Sequence, residues 1–147
     1  MPLLKVASLA LLGLLLPGTA SAAVVSDEDI RTVLIGSWVN PPANEIKIPS
    51  LPARQIFHDN GTTSVYVYPT YECREPAAYF EATWAVVDGI LITQITGTTH
   101  PALVPLGQIE QVLVVAVDAN RIVLQAEDIV YVRDKSDTCY APNVRKT

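Results

Sequence analysis

"LIGSWVN", residues 34–40, sets a tryptophan two residues after a glycine, where a series of short strands begins. What precedes it reads as a helix. In "SDEDIRTVL" (26–34), Ser26 can cap the first turn and Asp29 can answer it three residues later. Asp27, Glu28 and Asp29 suit the positive end of the helix dipole. Ile30, Val33 and Leu34 then share one face. The glycine therefore stands at a change of period, from a short amphipathic helix to a strand carrying Trp38.

Downstream the period stays at two. "RQIFH" (54–58) runs into the turn "DNG" (59–61), and "TSVYVYP" (63–69) alternates Val65 and Val67 against Ser64, Tyr66 and Tyr68. "YFEATWAV" (79–86) alternates Phe80, Ala82, Trp84 and Val86 against Tyr79, Glu81, Thr83 and Ala85. "ILITQIT" (90–96), "QIEQVLVVAV" (108–117), "RIVLQAE" (121–127) and "IVYVRD" (129–134) complete the series. With the strand at Trp38 this makes about eight short strands separated by turn residues, the pattern of an all-β sandwich or barrel. Prolines 41, 42, 49 and 52 make residues 40–52 an irregular loop, read as a flap. "VLVVAV" (112–117) is apolar on both faces. In a barrel one face fills the interior and the other needs cover, which the N-terminal helix could provide. A buried helix is the rival reading of this run, and its β-branched residues favour the strand.

Residues 1–22 read as a secretory signal rather than as structure. Lys5 is the charged start, "VASLALLGLLL" (6–16) the apolar stretch, Pro17 and Gly18 the break, and "ASA" (20–22) the cleavage site. The apolar run is too short for a membrane span. The mature chain is then a single domain, 23–147, exported to the periplasm or the medium. The net charge is −5 and no basic cluster stands out, which argues against nucleic-acid binding. Cys73 and Cys139 are the two cysteines. In an exported chain they are expected to pair, the alternative being two separate buried thiols.

The order of several short motifs resembles the small lipocalin-like domains of exported bacterial proteins. "LIGSW" (34–38) is similar to the Gly-x-Trp of their first strand. "FHDNGT" (57–62), "ATWAVVDG" (82–89) and "VYVR" (130–133) follow as the Asp-x-Gly strand end, the Trp strand with its "DG" turn, and the closing Tyr-x-Arg. The resemblance spans about residues 34–134 and implies an antiparallel barrel of about eight strands with one short N-terminal helix. No Thr-Asp-Tyr turn motif follows in the later half, unlike in the classical lipocalins, so the interior could be an open calyx or filled with side chains. A barrel end needs a plug, and a flat indole on the first strand can supply it. Arg133 on the last strand could lie across Trp38, a contact worth about 1–2 kcal/mol when partly desolvated. Alternatively, Trp38 is an ordinary core aromatic and Arg133 a solvated charge.

Catalytic signatures are sparse. His58 and His100 have no metal-ligand spacing, and no "GxSxG", P-loop or dinucleotide fingerprint is present. The expectation is a non-catalytic protein with no cofactor and no metal. Glu81 is the carboxylate of interest. The Phe80–Trp84 row is the more apolar and is expected to face inward, leaving Glu81 in water. If Glu81 faces inward instead, Tyr66 or Tyr131 could donate to it and form a polar ligand cluster. The candidate ligand residues are therefore Tyr66, Tyr68, Glu81 and Tyr131. Two functions remain: an exported protein that binds a small apolar or amphipathic molecule in the barrel mouth, or a filled barrel whose loops 40–52 and 70–78 contact another exported protein.

Overall fold

The computed structural model describes residues 25–40 and 51–139. The signal segment 1–22 and most of the proline-rich flap, 41–50, lie outside the described residues. Among the described residues one helix, α1 (Asp27–Leu34), precedes eight strands: β1 (Gly36–Val39), β2 (Ala53–Phe57), β3 (Thr62–Val67), β4 (Ala78–Val87), β5 (Ile90–Thr98), β6 (Ile109–Val117), β7 (Arg121–Ala126) and β8 (Ile129–Lys135). They form a closed barrel in sequence order, each strand antiparallel to its neighbours. The all-β reading, the eight-strand barrel and the short helix before the first strand hold among the described residues. "VLVVAV" is strand throughout.

Alternation sets which side chains enter the barrel. In β4, Ala82 and Trp84 are buried while Glu81, Thr83 and Ala85 are exposed. Register carries this face around the ring: Trp84 pairs with Thr93, Thr93 with Glu110, Leu124 with Tyr131, and Ile122 with Arg133. Two bulges, at Glu81/Ala82 and at Val114/Ala116, shift the register and bend the sheet toward closure. The core is Ile30, Leu34, Trp38, Phe57, Trp84, Leu91, Ile122 and Leu124. Phe57 meets Trp84 edge to face, with ring centroids 5.1 Å apart.

Strictly alternating antiparallel order puts the connections at two ends. At one end lie α1 and the tight turns 58–61, 88–89 and 118–120. At the other lie the end of β1, the start of β2, the longer connections 68–77 and 99–108, and the short turn 127–128. The helix closes the first end. Ser26 caps it as expected, accepting from Asp29 N at 3.1 Å. The Asp27 carboxylate accepts from the backbone N–H groups of Asp88 and Gly89, each at 2.8 Å. Arg31 donates to the Asp59 carbonyl at 3.1 Å and stands 4.9 Å from the Trp84 ring centroid. Asp27 and Arg31 thus tie α1 to two different turns of the closed end.

The C-terminal end of α1 meets the first and last strands. Trp38 donates its indole N–H to the Leu34 carbonyl at 2.7 Å and is fully buried. Lys135 donates to the Val33 and Ile35 carbonyls at 3.4 and 3.1 Å, placing a cation where the helix dipole is negative. The same ammonium stands 5.2 Å from the Trp38 ring centroid. This corrects one expectation: β1 and β8 are neighbours, but the cation over Trp38 is Lys135, two residues beyond Arg133. Arg133 points into the barrel and stands 5.9 Å from the Tyr131 ring instead. Gly36 has φ +125°, and a Cβ there would come within 3.0 Å of Lys135 Cε. Glycine at 36 thus serves both the turn from helix to strand and the approach of the lysine.

A second correction concerns β6. Because α1 plugs an end, it does not cover the outward face of this strand. Ile109, Leu113 and Val115 remain exposed there. The expected disulfide between Cys73 and Cys139 is present, with a Cα–Cα distance of 5.9 Å, and it pins the β3–β4 loop to the segment after β8. Closing a loop of 66 residues restricts the unfolded chain by about 4 kcal/mol.

Replacing Lys135 with methionine keeps the stem and removes both the carbonyl contacts and the ring contact. Urea unfolding should show a loss of about 1–2 kcal/mol. An unchanged midpoint would show that the lysine adds nothing to closure.

Candidate functional site

Inside the barrel lies a small cavity of about 40 Å³, partly open to solvent. Every side chain on its wall follows from the register above. β2 contributes Gln55 and Phe57, β5 contributes Leu91 and Thr93, and β6 contributes Glu110 and Val112. β7 contributes Ile122 and Leu124, and β8 contributes Tyr131 and Arg133. Leu34 and Trp38 are part of the wall from the closed end. The wall is divided by chemistry. Phe57, Leu91, Val112, Ile122 and Leu124 are apolar, while Gln55, Thr93, Glu110, Tyr131 and Arg133 bring polar groups to the same space.

Of the candidate ligand residues, Tyr131 alone reaches this cavity. Tyr66 and Glu81 face outward. Glu81 is exposed, as expected from the apolar Phe80–Trp84 row, and accepts a short hydrogen bond from the Tyr79 hydroxyl. That bond, more than burial, raises the pKa of Tyr79. The donor to Glu81 is therefore neither Tyr66 nor Tyr131. Tyr66 packs beside Tyr79 with ring centroids 5.0 Å apart. Tyr68 is buried just past β3, its backbone N–H donating to the Pro52 carbonyl at 2.8 Å, and is not on the cavity wall. The expected polar cluster thus divides into an outer group around Glu81 and a separate inner one.

The inner group centres on Arg133, which the sequence reading assigned to Trp38. The residue as a whole is half-buried, but its Nε is shielded from solvent and has no hydrogen-bond partner. Desolvation holds the guanidinium below its usual pKa, while Tyr131 and Glu110 act in the opposite direction. Burial likewise pushes the Tyr131 hydroxyl above its ordinary value, so at neutral pH it is a protonated donor. The neighbouring cation and anion do not find each other on this wall. Asp134 faces the other way and pairs with Arg121 at 2.6 Å. Glu110 accepts from Gln108 at 3.4 Å. A period-two reading of "IVYVRD" places Tyr131 and Arg133 on one face and was the available signal for this pair. Thr93 and Glu110 carried no such signal, because their place on the wall depends on inter-strand register.

Neither histidine approaches the cavity wall. His58 Nε2 lies 3.3 Å from Ser64 Oγ, and His100 Nδ1 lies 2.8 Å from Thr99 Oγ1. Among the described residues no group of three His, Cys, Asp or Glu side chains could hold a metal ion. No helix among them is long and apolar enough to cross a membrane.

A guanidinium Nε buried without a partner is destabilising, because the hydration lost there is not replaced. Arg133→Leu should therefore raise the unfolding free energy of the ligand-free protein by about 1–3 kcal/mol. Urea unfolding of the two proteins measures this. A loss of stability would show that Arg133 holds the barrel together instead.

The fold has counterparts among solved structures. A lipocalin-like protein from Bacteroides uniformis superposes with a TM-score of 0.51 at 14% identity, over 71% of this chain and 99% of that one. An uncharacterized protein from Bacteroides eggerthii gives a TM-score of 0.51 at 13% identity, over 70% of this chain and 99% of that one. No family profile and no curated protein sequence matches the chain. The architecture is thus the lipocalin-like barrel: eight antiparallel strands closed around one interior, with a short helix across one end.

Proposed function

We propose that this chain is an exported, non-catalytic binding protein that takes a small amphipathic molecule through the open end of its barrel. The observation that carries the reading is the mixed wall of the interior cavity, where apolar side chains share one space with polar ones, among them Arg133, whose Nε is buried without a partner. Wholly apolar walls would suit any greasy molecule, and fully satisfied polar groups would suit a structural role. The Cys73–Cys139 disulfide and the leader-like residues 1–22 support export to an oxidising compartment. The helix at the closed end and the longer connections at the other favour entry from the loop side.

A second reading has its own support. Leu113 and Val115 on β6, with Val87 and Val130 on other strands, are large apolar side chains left about half exposed on the outer surface. Such a surface fits a protein partner.

Native mass spectrometry of the protein purified from its own exported fraction separates the two. The binding reading predicts a small-molecule adduct. It also predicts loss of that adduct in Val112→Phe, which narrows the cavity, with near-UV circular dichroism unchanged. A bare mass, or a co-purifying protein in place of the small molecule, would contradict it.

A further inference from the structure

The outer wall of the barrel is divided in chemistry, as the inner one is. Eight of the eleven large apolar side chains left exposed among the described residues fall between Val87 and Val130. Register gathers them. Val87 pairs with Ile90, Ile90 with Leu113, Leu113 with Gln125 and Gln125 with Val130, so one row of outward side chains crosses five strands without a charge. On one side of this row Ile92 pairs with Gln111. On the other, Ala116 pairs with Val123 and Val123 with Val132. Beyond these stand Arg121 and Asp134, which neutralise each other at 2.6 Å. Glu110 of β6 is turned to the cavity instead. Elsewhere the outer wall carries charge, as at Arg54 on β2 and Glu81 on β4.

We propose that this charge-free face on β5 to β8 is where two copies of the chain pack against each other about a two-fold axis. The proposal rests on the second reading above, in which the outer apolar surface takes a protein, and names that protein as a second copy of this chain. Barrel closure leaves no free sheet edge, so two copies meet through a face and not by extending strands. The chain has a net charge of −5. Two copies therefore repel, and they approach with least repulsion through a face that carries no charge. A two-fold axis sets one patch against itself, so the patch must be its own complement. Aliphatic rows meet that condition, and so does glutamine, whose amide both donates and accepts. Gln111 lies within the apolar surface, between Ile109 and Leu113 on its strand face. Against lipid its amide would go unpaired, whereas the Gln111 of a second copy can answer it. An unlike protein is selected largely through complementary charge, which this face does not offer. Four strands about 4.8 Å apart, each presenting about seven residues at about 3.3 Å, make a face of roughly 440 Å² in projection. Side chains standing out of that plane, with Leu106 and Ile109 at its end, bring the accessible area toward the roughly 600–800 Å² per partner of a standard interface. That size suits a reversible dimer.

Sedimentation velocity of the whole protein, from micromolar to millimolar concentration, tests this. The expected result is a monomer–dimer equilibrium that tightens as salt is raised. Salt screens the repulsion between two acidic copies and leaves apolar contacts intact. Leu113 is the third of five in the central row, so Leu113→Lys sets like charges face to face near the axis. It should weaken the dimer at least about a hundredfold. Thr62→Lys adds the same charge to an exposed position of β3, on the far side of the barrel, and should leave the dimer at least as tight. Both positions are exposed in the monomer, so near-UV circular dichroism of each variant should match that of the unaltered protein. A monomer at every concentration overturns the proposal, and co-flotation of that monomer with phosphatidylcholine vesicles would name lipid as the occupant. A dimer that loosens with salt, or that Leu113→Lys leaves intact, also overturns it, by placing the interface elsewhere. The second reading would then survive only if native mass spectrometry finds a different protein bound.

Discussion

Closure of the barrel depends on a short seam. Between β1 and β8 the paired positions among the described residues are Trp38 with Lys135 and Val39 with Asp134. β4 and β5, by contrast, pair over eight positions. Two backbone pairings alone are a weak fastening, and side chains strengthen this one. Trp38 reaches back to the last turn of α1, and Lys135 crosses the same point to hold two carbonyls at the helix end. The first strand, the last strand and the helix thus share one joint. The glycine two residues before the tryptophan leaves room for the lysine at that joint.

That joint also decides where the interior opens. Because the helix and the tight turns occupy one end, the apolar plug of Ile30, Leu34 and Trp38 fills the barrel from that side. Farther along β8 the same inward face presents Arg133 and then Tyr131. One strand therefore serves two purposes with three residues of one face. Lys135 stabilises the closed end, and Arg133 and Tyr131 supply polar groups to the cavity. The two cations differ in what surrounds them. Lys135 has carbonyls and an indole, while Arg133 has an aromatic ring and a partly empty space. Stability accounts for the first and leaves the second unexplained, which fits a residue kept for binding.

Much of this architecture was legible in the sequence because it is written in short-range patterns. The cap at Ser26, the face of Ile30 and Leu34, the strand alternation around Trp84 and the turns at 59–61 and 88–89 each depend on residues close in the chain. The pairing of Cys73 with Cys139 was legible from count and compartment. What escaped depends on relations between strands. Arg133 and Lys135 lie on the same face of β8, so alternation cannot say which of them reaches Trp38; the register against β1 does. Tyr66 and Glu81 share the outward face because Ser64 pairs with Glu81 and Tyr66 with Tyr79 across two strands. The apolar outer row of β6 calls for cover, and alternation along one strand does not say what supplies it. Its contacts with the turns and with Lys135 hold it across the end of the barrel instead.

The central claim is that α1 is an integral part of barrel closure and not an appended segment. Native-state hydrogen exchange of the backbone amides measures this directly. If the helix plugs the barrel, the amides of its last turn, around Val33 and Leu34, exchange only on global unfolding, with the same free energy as those of β4 and β5. Exchange of α1 through a local opening of much lower free energy, with the strands still protected, would contradict it.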